Sequence, residues 1–350
     1  MAIYIQSAEQ ISIQQPLSDA WFDMPIMYVR AYVRAVEPNY REYIEPNRSR
    51  RMGKILKRAI VTARVAAEKS GVAMPDAIIS GTGLGCIENT EIFLEAMARN
   101  GEELLQPTYF MQSTHNTISS LISIDMKCYG YNNTFTHKGV SFENALLDAF
   151  LQFTAGRIKT ALVSGFDEMT PKYQLILSRI GYWRAFDENI KLKKGEEAFA
   201  GETSVSFMLS SEKNEKSICR IDGIELLYKP KENDLQFALN KLLKENNCSI
   251  DDIDAVVAGI SGNHTNDEVY YRNAPILFEG KPLIGYKHIF GESYTASGMG
   301  MYVAATCLRK QYVPRHLLLN GCSEIKSVKT LLLYNHSENK NHSLTLLKSC

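Results

Sequence analysis

The chain has 350 residues, 45% of them hydrophobic, enough to bury a large core as two domains or as one large α/β unit. Lys and Arg together number 39, as do Asp and Glu, so the formal net charge is zero and no global field recruits nucleic acid or an anionic membrane. The seven cysteines are scattered, with no CxxC pair and no clustering with histidine; they read as reduced cytosolic thiols and offer no metal site. The opening Met-Ala-Ile-Tyr-Ile-Gln lacks a leader pattern, and no apolar run approaches the roughly 18 residues of a membrane helix, so a cytoplasmic protein is expected.

After a strand-like Ile3-Tyr4-Ile5, the first 45 residues are aromatic and irregular. A helical pattern runs from Arg48 to Ser70, with Met52, Ile55, Leu56, Ile60 and Ala63 at core spacing. Asp76 to Gly85 reads as a buried strand ending in a glycine-rich turn, and Glu88 to Asn100 as the following helix. Then come a helix over Thr117–Tyr129, a short strand at Thr134–Thr136, a helix over Ser141–Gly156 and an apolar strand over Thr160–Gly165. The second half repeats this rhythm, with strands at Ser206–Ser210, Ile221–Leu226, Ala255–Ile260, Leu317–Asn320 and Thr330–Tyr334 and helices at Leu235–Asn246 and Ala296–Lys310. Alternating elements predict an α/β fold, and the repeated order predicts an internal duplication. The expected divisions are 1–212, 213–337 and a polar, frayed tail over 338–350.

An ordered set of short motifs carries a resemblance. Phe110, Ser113 and Asn116 follow a Phe-x-x-Ser-x-x-Asn stretch, and Ala161 to Glu168 follow an Ala-x-x-x-Gly-x strand with a Gly-Gly-x-Glu-like turn. Gly81-Thr82-Gly83-Leu84-Gly85 precedes them; Ala185-Phe186-Asp187 and Gly201-Glu202-Thr203 come after. Further on stand Lys287 and Gly291-Glu292-Ser293-Tyr294-Thr295-Ala296-Ser297-Gly298. Over roughly residues 50 to 335 the chain resembles the β-ketoacyl synthase family. The resemblance implies a thiolase-like fold of two similar halves in α-β-α-β-α layers, with no cofactor.

In that family a cysteine at the start of a buried helix takes the acyl chain, where the helix dipole lowers its pKa. Matching Ala145-Leu146 to the family's Ala-Ile puts Gly139 at the nucleophile position. Ser141 is the nearest hydroxyl and fits an N-cap better than a nucleophile, and His137 reads as a structural histidine. The family's two histidines polarise the thioester carbonyl. The first falls on Gly259, with His264 five residues later on the loop; the second falls on Glu292, beside Lys287, whose bland reading is an ion pair to Glu292. His288 would be displaced from the pocket, and the family's gate loop is matched to Leu319-Asn320-Gly321-Cys322-Ser323-Glu324, without its phenylalanine.

The resemblance thus implies a chain-length-factor-like subunit without catalytic cysteine or histidines, close to the small proteins of aryl-polyene and flexirubin pathways. Expected partners are an active ketosynthase, or a second copy of the chain, and an acyl carrier protein. Phe110, Asn116, His137 and Phe142 are expected at the tunnel or elbow. Arg50, Lys54, Lys57 and Arg58, at i, i+4, i+7 and i+8, form a candidate carrier-docking face. Two alternatives remain open at this point: a condensing enzyme using Ser141 as nucleophile or His264 as base, and a stand-alone acyl-thioester-binding homodimer.

Overall fold

The computed structural model describes residues 2–179, 199–231, 233–321 and 323–350. Ten strands form one continuous sheet: β1 (Ile3–Ile11), β2 (Ala77–Gly81), β3 (Tyr131–Phe135), β4 (Thr160–Asp167), β5 (Thr203–Ser210), β6 (Cys219–Tyr228), β7 (Ala255–Ala258), β8 (Leu283–Ile284), β9 (Thr330–Ser337) and β10 (Asn341–Ser349). Their spatial order is β8-β7-β9-β10-β6-β1-β5-β4-β2-β3. Counted from its own edge inwards, each half has its third, second, fourth, fifth and first strand in turn. The expected duplication is therefore present in the topology.

In the first half β2 runs parallel to β3 and β4, and β5 is antiparallel to β4 and β1. In the second, β7 runs parallel to β8 and β9, and β10 is antiparallel to β9 and β6. Antiparallel β1 and β6 join the halves. Parallel strands need both faces covered, which explains why β2, β4, β7 and β9 are almost uniformly buried.

The cores follow the layers. Helix α1 (Lys54–Ser70) packs its Ile55, Ala59, Ile60 and Ala63 face on the outside of the first half. Helix α3 (Asp234–Glu245) does the same for the second half through Leu235, Leu239 and Leu242. Between the two halves lie α2 (Ser141–Thr154) and α5 (Ala296–Lys310), sharing one cluster with inward side chains of both. Helix α5 is buried from Ala296 to Leu308, and its run of small residues suits a helix enclosed on all sides. Helix α4 (His264–Leu277) follows β7.

Three expectations are corrected. The Arg48–Ser70 helix is two pieces, Pro46–Ser49 and α1, because Gly53 takes an extended N-cap conformation close against Asn89. Leu317–Asn320 forms no strand; Arg315–Leu317 is a 3-10 turn. The tail is not frayed: β10 pairs with β9 over Thr330↔Lys348 to Ser337↔Asn341 and with β6 on its other side. Its polar Ser-Glu-Asn-Lys is the hairpin turn, with Glu338 and Asn339 at positive φ, and Leu344, Leu346 and Leu347 are fully buried. Among the described residues no helix is long and apolar enough to cross a membrane.

Because β10 lies between two partners, deleting residues 341–350 strips both ladders at once. The truncated chain is expected to lose its fold, read as collapse of the far-UV circular dichroism signal and aggregation in size-exclusion chromatography.

Candidate functional site

Parallel strands deliver their loops to one end of the sheet, and the candidate site is assembled there. The turn after β2 is tied to the end of β4 by Asp167, whose carboxylate accepts from Gly83 N at 2.9 Å and Leu84 N at 3.3 Å. The same carboxylate accepts from Thr295 N at 2.7 Å and Thr295 Oγ1 at 2.8 Å, just before α5. Complete burial nonetheless pushes its pKa up to about 6, the four donors opposing. Glu168 accepts from Glu88 N at 3.1 Å, and burial pushes it up to about 8. One strand end thus fixes both the glycine turn and the start of the central helix.

Gly139 lies in the turn that opens α2, as expected. A Cβ built there would stand 2.5 Å from Ser337 Oγ and 2.9 Å from Ser337 Cβ, so a larger side chain is blocked by the end of β9. Ser141 is buried and is neither cap nor free nucleophile: its hydroxyl faces two carbonyl acceptors, Lys138 O at 2.7 Å and Thr82 O at 3.0 Å. No sulfur replaces it from the neighbouring helix start, since burial and Glu168 push the Cys86 thiol well above its ordinary value, the reverse of an activated thiolate.

Gly259 directly follows β7, and there too the space is taken. A Cβ would lie 2.3 Å from Asn335 Oδ1 and 2.4 Å from the Tyr270 hydroxyl. His264 does not reach the site; it is exposed on the first turn of α4, whose N-cap is Asn263. At the third position Glu292 meets Lys287, Nζ to Oε2 being 2.6 Å, so the bland reading of that pair is the observed one. Burial raises the Glu292 pKa, with Lys287 opposing. His288 is half-buried with Nε2 on His316 O at 2.9 Å, outside the pocket wall.

Of the four expected tunnel or elbow residues, only Phe142 is buried, packed on Phe207. Phe110 and Asn116 are exposed on the Pro107–Ser113 helix and the turn after it, and His137 is exposed before α2. The docking face also changes. Arg50 and Lys54 are exposed and Lys57 is half-buried, but Arg58 is 1% exposed, clamped by Glu37 at 2.5 Å and Glu202 at 2.8 Å. Its spacing grouped it with Lys54, yet Arg58 turns inward beside Ala59 while Lys54 stays exposed, and Arg50 lies outside α1.

Leu319 does not line the site: its N donates to Leu283 O and its side chain packs at Gly285. Cys322, like Ala185-Phe186-Asp187, lies outside the described residues. The rim is instead the β9–β10 turn, and it brings in residues the motifs did not single out. His336 Nδ1 accepts from Asn339 N at 3.3 Å, leaving Nε2 to donate to Asn266 O at 2.9 Å. Burial pushes its pKa down to about 3, so it stays neutral. Glu143, in the first turn of α2, is fully enclosed, and desolvation pushes it up to about 7. Spacing held no signal for either, because their neighbours are distant in sequence: Tyr270 packs on His336, and Ser297 and Ser343 face Glu143.

These elements enclose a pocket of about 760 Å³, reaching from Gly139 past Glu292 and Ser297 to Asn335 and the rim at Glu338. Among the described residues no cluster of histidine, cysteine and carboxylate side chains is built to hold a metal.

The family model for the β-ketoacyl synthase N-terminal domain matches residues 30–218. No curated protein matches the chain. Among solved structures, the ishigamide ketosynthase/chain length factor superimposes with a TM-score of 0.82 at 14% identity, over 100% of this chain and 99% of that one. A β-ketoacyl synthase from Burkholderia phymatum STM815 gives 0.79 at 12% identity, with 99% of each chain covered. A ketosynthase (ApeO) in complex with its chain length factor (ApeC) from Xenorhabdus doucetiae gives 0.77 at 13%, over 100% and 98%. These likenesses establish a thiolase-like fold.

Glu143 supplies a pH test. Its carboxyl stays protonated in the native state from about pH 4.5 to about pH 7, where the unfolded chain has released the proton, so stability falls as pH rises through that window. Glu143→Gln is expected to melt like the parent near pH 4.5 and to be more stable at pH 8 by about 3 kcal/mol, checked by thermal unfolding at both values. Gly259→His should destabilise by roughly 3 kcal/mol or more through overpacking against Asn335 and Tyr270, read from the same melts.

Proposed function

The chain belongs to the β-ketoacyl synthase family, and on that premise we propose that it is a non-catalytic, chain-length-factor-like subunit that partners an active ketosynthase. The observation that carries this reading is the end of β9, where Ser337 stands against Gly139 and Asn335 against Gly259. A missing cysteine alone leaves room for another nucleophile; a position closed by a neighbouring side chain does not. The third expected catalytic position, Glu292, is neutralised by Lys287 rather than free to act.

A pairing surface supports the partnership. Strand β3 is an edge of the sheet and presents unpaired backbone groups. Around it Tyr129, Ile124 and Leu151 are 90%, 65% and 57% exposed, and Phe110 and Met111 are also exposed. An apolar surface of this kind on a soluble chain marks an interaction site. Two of the similar structures are described by name as a ketosynthase with a chain length factor, which is the arrangement proposed for this chain.

For carrier docking, the revised basic surface uses Arg50 and Lys54 and omits the internal Arg58. Such exposed cations steer an acidic partner chiefly through on-rate and salt dependence.

The test is co-expression with a ketosynthase that carries the full cysteine and histidine set. Co-purification at a fixed ratio, with malonyl-carrier condensation by the pair and none by this chain alone, is the expected result; robust condensation by the chain alone refutes the reading. Arg50→Glu with Lys54→Glu should weaken carrier binding about tenfold at low salt while leaving co-purification intact.

A further inference from the structure

Asparagine is followed by glycine twice in the chain, at Asn100-Gly101 and at Asn320-Gly321. In this dipeptide the glycine nitrogen can attack the asparagine Cγ, because no Cβ screens the nitrogen and the ring closure is intramolecular. The two pairs share that chemistry and differ in how the fold holds them.

Asn100 is exposed and is the last residue of the Ile87–Asn100 helix. Gly101 leaves the helix at φ +65° and ψ −142°, its N–H closes no cap, and open space surrounds the place of its missing Cβ. Residues 102–104 are exposed as well, Leu104 by 91%. Among the described residues the Asn100 side chain has no hydrogen-bond partner. Helix ends fray, which lets the Asn100 backbone turn until Cγ meets the Gly101 nitrogen.

Asn320 is exposed too, but it is tied down. Leu319 N donates to Leu283 O at 2.9 Å, Leu318 bridges to Ile284, and the Leu319 side chain packs at Gly285. The Asn320 side chain lies across the same edge strand, β8, with Oδ1 facing Leu283 N and Nδ2 facing Lys281 O, each at 3.4 Å. Attack by Gly321 on its Cγ would require giving up these contacts.

We infer that Asn100 is a site of spontaneous deamidation in the folded chain and that the fold protects Asn320. The Gly101 nitrogen loses its proton to solvent base and bonds to Cγ, and the side-chain nitrogen leaves as ammonia, giving a cyclic imide. One water then opens the imide at either carbonyl to yield aspartate or isoaspartate, and nothing is oxidised or reduced. The new carboxylate stands beside Glu102 and Glu103 at a helix C-terminus, where the dipole disfavours it. The same turn leads to the Pro107–Ser113 helix, which carries the exposed Phe110 and Met111, so the reaction alters the border of that apolar surface as the protein ages. The site needs no partner and stands apart from the proposed function.

The experiment incubates the whole native chain in mildly alkaline buffer and follows both peptides by proteolysis and mass spectrometry, with isoaspartate scored by methyltransferase labelling. Asn100 is expected to convert about tenfold faster than Asn320. In the guanidinium-unfolded chain the two rates should converge. Asn100→Gln should remove labelling from its peptide and leave the melting temperature unchanged. Equal rates in the native chain, faster conversion at Asn320, a difference that persists after unfolding, or an intact Asn100 once the unfolded chain has converted would overturn the inference. The mass increment is that of an amide becoming an acid, far below that of an acyl group, so the result does not bear on acylation.

Discussion

Residues i and i+2 of a strand point to the same face, and at the end of β9 that rule puts Asn335 and Ser337 side by side. Asn335 meets the backbone of Gly259 and Ser337 meets that of Gly139, each closer than a Cβ would tolerate. On the proposed reading, two positions matched by motif register to a ketosynthase's catalytic residues are thus filled from one strand. The glycines are the complement of that strand: they leave the room its side chains occupy. Register makes the arrangement strict, because a slip of one residue in β9 would turn both side chains to the other face. The ladders to β7 and β10 hold that register from both sides.

Around this contact the site is fastened by buried carboxyls. Asp167 ties the glycine turn to Thr295 at the head of α5, Glu168 receives the Glu88 amide, and Glu202 receives the Ala35 amide at 3.0 Å and the Arg58 guanidinium. Burial raises Asp167 and Glu168 because backbone amides offset only part of the lost hydration. The result is a rigid frame whose polar groups are spent on structure.

Much of the fold was legible because the parallel strands are apolar runs between turn signals, as in Ala77–Gly81, Thr160–Gly165 and Ala255–Ala258. Of the antiparallel strands at the centre, β5 and β6 were legible in part, whereas most of β1 and all of β10 were not. In β1 the buried Gln6, Ser7, Glu9 and Gln10 disguise a nine-residue strand, and they are tolerated because each finds a partner, such as Ser7 Oγ on Ala66 O at 2.6 Å and Glu9 with Lys69 at 2.5 Å. The polar residues 338–343, which run from the hairpin turn into β10, looked like a tail, although Ser343 and Thr345 alternate with Leu344 and Leu346. Of the site, the glycines and Glu292 were placed by motif register alone. Asn335, Ser337 and Glu143 could not be, since their meaning depends on a strand pairing far away in sequence. Arg58 shows the converse: helical spacing grouped it with exposed Lys54 but could not reveal that Glu37 and Glu202 draw it inside.

The most direct measurement is intact-protein mass spectrometry after incubation with acyl and malonyl carrier protein, first alone and then with a ketosynthase partner. The account predicts that this chain keeps its unmodified mass in both cases while the partner's cysteine gains the acyl group. A stoichiometric adduct on this chain, mapped to Ser141 or to any residue lining the pocket, would contradict it.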